Sequence, residues 1–161
     1  TKILIIKKME QILLLKPNDI PRLTSLSGNI DIDKLNPHIF TAQVNDVKRI
    51  LGLDLYNKMF ESNLTNEYAI IYNDYLLYLL AYYSVYYYIG LGSYQIANNG
   101  IVKLAVEGGT AVDMKEANLL ANKYKELAGT YEIQLNEYLK TISIPEYTAE
   151  NRVTTKLKEW Y

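Results

Sequence analysis

The chain contains no cysteine and a single histidine, His38, in 161 residues. Without thiols there are no disulfides, no thiolate metal sites and no thiol nucleophile. One histidine cannot build a multi-histidine metal centre, nor a catalytic system resting on a pair of histidines. An excess of basic charge is also missing, since 17 Lys and Arg stand against 18 Asp and Glu, for a formal net charge of -1. A protein that coats nucleic acid needs a basic excess or a basic face. Phenylalanine and tryptophan are scarce, at 2 and 1, whereas tyrosine reaches 16. With 49% hydrophobic and 22% charged residues, one packed domain is expected at this length.

Long apolar runs are few. The N-terminal run from Ile3 to Ile6 ends in Lys7 and Lys8, too short for a secretory signal. Between Asp74 and Lys103 there is no charged residue at all. That stretch is long enough for a bilayer span of about 20 residues. Its tyrosines, however, are spread through the middle instead of forming belts at the two ends, where a phenol meets water. A helix packed on most sides is the expectation. A small helical membrane-associated protein with residues 75–91 as a span is the alternative.

Local signals outline a mainly α fold. Asn18 or Asp19 is a possible cap before Pro21, and Ser27, Gly28 and Asn29 form a breaker cluster. Leu35, Ile39, Ala42, Val47, Ile50 and Leu51 follow helical spacing, with one slip around Val44. Asp33 or Asn36 would cap this helix, Pro37 would sit in its first turn and Gly52 would close it. A short helix over 54–60 would turn Leu55, Tyr56 and Met59 inward. Thr65 or Asn66 would cap the long tyrosine-rich helix, which ends at Gly90 and Gly92. The run Ile101 to Val106, flanked by glycines, suggests a β-hairpin or extended loop. Asp113 and Glu116 resemble a capping box opening the last helix. Its predicted stripe is Ala117, Leu120, Ala121, Tyr124, Leu127, Ala128, Tyr131, Leu135, Tyr138 and Leu139, and Pro145 stops its continuation. The expected organisation is an N-terminal arm over 1–29, a bundle of about four helices over 30–142 with the hairpin or loop before the last helix, and a C-terminal arm over 143–161.

Catalytic chemistry is not legible. Asp31 and Asp33 read as capping residues, and Gly108-Gly109-Thr110 reads as a turn, since no Gly-Lys-Ser/Thr follows it. His38 reads as a surface or interface histidine, with a proton switch as the sharper alternative. No cofactor and no metal site is expected. The tyrosines of the long helix spread around its whole cylinder, and a helix apolar on all sides must be covered on all sides. A small domain has few elements to do this. Tyr75, Tyr78, Tyr82, Tyr83, Tyr86, Tyr87 and Tyr88 are therefore expected at an interface with another protein molecule, together with the terminal anchors Trp160 and Tyr161.

Several residues in order also carry a resemblance. They are Ile-Asp-Ile-Asp-Lys-Leu-Asn-Pro over 30–37, Ala42-Gln43, Leu51-Gly52-Leu-Asp-Leu-Tyr56, Asn99-Gly100-Ile101-Val102, and Tyr131 through Leu135 to Tyr138-Leu139. In this pattern the chain resembles the head-tail connector (head completion or adaptor) proteins of tailed phages, most closely the ring proteins of crAss-like and related gut phages. Arg49-Ile50-Leu51-Gly52 stands where that family has Pro-Leu-Leu-Gly. The resemblance implies a virion structural protein without catalysis, assembled in the host cytoplasm and located at the head-tail junction. It implies a homo-oligomeric ring, commonly dodecameric, beneath the portal protein. Tail or further ring proteins would attach to it. Double-stranded DNA would pass through the lumen without sequence-specific binding, and no membrane would be involved.

Overall fold

A computed structural model describes residues 12–26, 31–92, 94–97, 100–103 and 114–148. The chain enters through a 3₁₀ turn, Pro17–Asp19, and a single helical turn, α1, Ile20–Leu23. Pro21 lies in the first turn, where its missing N–H costs nothing. Asp19 occupies the cap position but makes no side-chain cap bond. Leu14, Leu15 and Ile20 are buried in the same core as the helices that follow. The described part of the expected N-terminal arm is thus packed into the bundle.

The second helical region begins one turn earlier than its spacing predicts. Asp31, not Asp33 or Asn36, is the cap, with its carboxylate accepting the Asp33 backbone N–H at 3.2 Å. A 3₁₀ turn, Ile32–Leu35, leads into α2. This helix comprises Asn36–Ala42, a π-helical stretch Gln43–Val47, and residues 48–51. Ala42, Gln43, Asp46, Val47 and Ile50, positions that share one side of a helix, face inward while Val44 points out.

Gly52 separates α2 from α3, residues 53–58. Its backbone has φ 74° and ψ 168°, a region open essentially to glycine alone. Leu55, Tyr56 and Met59 are buried, as their spacing predicts.

Helix α4 comprises Asn66–Ile70, a second π-helical stretch Ile71–Leu76, and Leu77–Gly92. Thr65 stands at its cap without a side-chain bond, and Asn66 takes a positive φ of 51° that asparagine tolerates. Two strands follow, β1, Tyr94–Ala97, and β2, Gly100–Lys103, paired antiparallel across residues 98–99. Helix α5, Met114–Thr141, runs 28 residues, about 42 Å at the usual rise. The fold is therefore mainly α, a helical bundle with a hairpin before its last helix. Asp113 and the Gly108-Gly109-Thr110 turn lie outside the described residues.

Helix α4 sits at the centre, packed chiefly against α5 on one side and the first part of α2 on the other. Because α5 has α4 as its main neighbour, its buried seam is narrower than the predicted stripe. Ala121, Tyr124, Ala128, Leu135 and Leu139 are buried, whereas Leu120 and Leu127 are 50% and 46% exposed. After Pro145 the chain folds back, with Ile144 buried and bridged to Tyr147. The first residues of the expected C-terminal arm thus join the bundle, and residues 149–161 lie outside the described set.

Two glycine substitutions test this backbone. Gly52→Ala should lower stability by about 1–3 kcal/mol, because alanine is strained at that conformation. Gly90→Ala should raise it by about 0.5–1 kcal/mol, since an added Cβ there meets nothing within 4 Å. Urea midpoints of the two variants and the parent check both signs.

Candidate interaction site

The tyrosines of α4 fall into two groups that face different neighbours. Tyr75, Tyr78 and Tyr82 recur at helical spacing and meet tyrosines of α5. Tyr75 stacks on Tyr138 with centroids 5.4 Å apart, and Tyr78 lies nearly parallel to Tyr131 at 5.1 Å and 9°. Tyr82 contacts both Tyr131 and Tyr124, at 5.8 and 6.1 Å. Each such pair covers two apolar faces at once, and offset aromatic pairs contribute about 0.5–1.5 kcal/mol beyond area burial.

The other group reaches a polar cluster between α2, α4 and α5. Tyr83 donates to Glu132 Oε2 at 2.9 Å, and Tyr87 donates to Asp46 Oδ2 at 3.0 Å. Arg49 grips Glu132 through two bonds of 2.9 and 3.1 Å and lies 3.7 Å from Asp46. Asp46 lies on the inner side of α2, in its π stretch, at 8% exposure. Burial raises the Asp46 carboxyl above its usual range, against opposing pulls from Tyr87 and Arg49. Burial, and then the bond to Glu132, pushes the Tyr83 phenol well above its ordinary value. The bond to Glu132 is also the leading reason that the Arg49 guanidinium rises.

Two further contacts complete the picture. The Tyr88 ring meets His38 edge-on at 5.5 Å, and partial burial lowers the imidazole's pKa, which favours the neutral form. At the other end of α4, Tyr68 donates to Glu146 Oε2 at 2.5 Å. That bond is the main reason the phenol is pushed up to about 12.

Tyr83 is buried, and Tyr75, Tyr78, Tyr82, Tyr86, Tyr87 and Tyr88 are half-buried against their own chain. Every residue from 75 to 89 is buried or half-buried within one subunit, because α5 brings tyrosines of its own to face those of α4. Trp160 and Tyr161 lie outside the described residues. Among the described residues no helix, including the one that holds residues 75–91, is long and apolar enough to cross a membrane.

The exposed apolar side chains are elsewhere. Leu119, Leu127 and Ile133 lie on the outer side of α5, and Leu91 lies near the end of α4. The sequence signal for Leu127 was present, but it read as part of a core stripe. A cavity of about 470 Å³ opens between the end of α4 and the start of α5, beside Tyr86, Tyr87, Leu91, Asn118 and Asn122. Its described lining holds no carboxylate, histidine or lysine. A second, of about 380 Å³, lies beside Leu13, Met59, Phe60, Ser62 and Tyr72. No group of three His, Cys, Asp or Glu side chains able to hold a metal ion occurs among the described residues. What the arrangement offers is surface for contact.

The Asp46 result has a measurable sign. A carboxyl whose pKa is raised by folding contributes most when protonated, and that contribution is lost as pH rises through its folded value. Asp46→Asn should therefore be at least as stable as the parent at neutral pH, and should lose that advantage below the ordinary aspartate range. Denaturation midpoints across that pH interval check the crossover.

No curated protein and no solved structure matches the chain. The family model for DUF6712, a family of unknown function, matches residues 47–156, and the chain belongs to that family.

Proposed function

We propose that the chain is a subunit of a head-tail connector ring in a tailed-phage virion. The ring would sit beneath the portal protein, continue the DNA channel and join the capsid to tail or further ring proteins. The observation that carries this reading is that two of the runs bearing the resemblance, Ala42-Gln43 and Leu51 to Tyr56, meet in one buried corner. Ala42 is fully buried and Gln43 follows it at 1% exposure. The Gln43 amide donates to the Tyr56 hydroxyl at 3.1 Å and to the Ile12 carbonyl at 3.0 Å, while its oxygen accepts the Leu14 N–H at 2.8 Å. Gly52 supplies the turn that brings Leu55 and Tyr56 under α2. The Ala-Gln pair and the Leu-Gly-x-x-Leu-Tyr run thus act as one structural unit, which is what a family-wide pattern of this kind requires.

The exposed apolar residues of α5 suit side-by-side packing of copies, since a ring subunit presents two different faces to its neighbours. A net charge of -1 suits a channel through which DNA moves without being held. Residues 149–161, with Trp160 and Tyr161 as anchors, would attach to a neighbouring layer.

Electron microscopy of the purified full chain should show rings with a central channel. A protein that stays monomeric at high concentration, together with virions lacking it at the portal, overturns the reading. Ile133→Glu should impair assembly while changing subunit stability by no more than about 0.5 kcal/mol. Deleting residues 149–161 should weaken attachment to a neighbouring ring and spare the helices. Deletion from Ile144 onward would also strip a buried side chain and the partner of Tyr68.

A further inference from the structure

The hairpin's backbone presents hydrogen-bonding groups that no neighbouring strand among the described residues answers. Its register pairs Tyr94 with Lys103, Gln95 with Val102, Ile96 with Ile101 and Ala97 with Gly100. With only two residues joining the strands, Ala97 and Gly100 exchange both backbone bonds, and so do Gln95 and Val102. Tyr94 and Ile96 on β1, and Ile101 and Lys103 on β2, therefore direct their N–H and C=O groups away from the partner strand. Among the described residues the sheet has no third strand, and neither strand packs substantially on a helix. A lone two-stranded hairpin is marginal in water, and bare edges are templates for pairing.

We infer that the β2 edge of one subunit pairs with the β1 edge of the next, so that the hairpins of neighbouring copies form one continuous antiparallel sheet. This rests on the ring reading above and names the contact that builds it. The occupant follows from the two edges themselves. Each is four residues long with two outward residues at the same spacing, so they match one to one. Every copy carries one edge of each kind. Joining β2 to the next β1 continues the up-and-down order, repeats identically at each step and leaves no edge over once a ring closes.

Hydrogen exchange on the full chain, compared between dissociated and assembled protein with no other protein present, tests this. The amides of Tyr94, Ile96, Ile101 and Lys103 should become at least about tenfold slower on assembly. Ile101→Pro removes one outward donor and leaves the inward N–H of Val102 in place. It should weaken assembly by up to about tenfold, with protection at Val102 retained as the sign that the hairpin still forms. Rings whose outward amides exchange freely, or an Ile101→Pro protein that keeps Val102 protection and assembles undiminished, overturn the edge pairing alone. Slowing that appears only when a foreign peptide is supplied overturns it in favour of another strand donor. A chain that never assembles overturns the ring reading and this contact together.

Discussion

The structure is organised around a helix that carries no charge from residue 75 to its end at Gly92. Such an apolar helix is covered by its neighbours, chiefly α5 and the first part of α2. Helix α5 runs its full length, and α2 closes the opposite side. What makes this cover sufficient in a small chain is that tyrosine faces tyrosine. Phenol rings from both helices share the seam while hydroxyls find partners or the rim. Where hydroxyls turn inward, the partners are specific. Glu132 receives Tyr83 and Asp46 receives Tyr87, and one guanidinium stands between the two carboxylates.

In α2 the inner side carries Gln43 and Asp46 together with Ala42, Val47 and Ile50. Gln43 then holds the backbone of residues 12–14 from one side, while Tyr72 holds the Leu14 carbonyl from the other at 2.6 Å. A segment with no helix of its own is thereby fixed to the core by side chains from α2 and α4. Buried polar groups of this kind are costly when unpaired, and each one here has its partner.

The reading as a connector subunit and the hairpin contact concern different parts of the molecule. The corner built by Gln43, Gly52 and Tyr56 shapes the subunit, while in the proposed ring the hairpin and the outer side of α5 would meet other copies. In the polar cluster of α2, α4 and α5, Arg49, Tyr83 and Tyr87 supply the donors that Asp46 and Glu132 accept, which ties the three helices together.

Much of this was legible in the sequence because it depends on near neighbours. Pro37 in a first turn, Gly52 at a helix end, the inward trio Leu55, Tyr56 and Met59, the bounds of α5 and the hairpin all follow from local backbone preference and spacing. The outward place of Val44 was visible too, whereas the π stretch around it became clear only with the backbone in place. What the sequence could not specify was which elements face one another across the bundle. The pairing of α4 and α5 tyrosines, the meeting of Asp46, Arg49 and Glu132, the exposure of Leu127 and the docking of residues 12–15 are all long-range. They depend on how helices cross, a property that no single helix encodes. The local rules therefore named the parts, and packing decided which of them face one another.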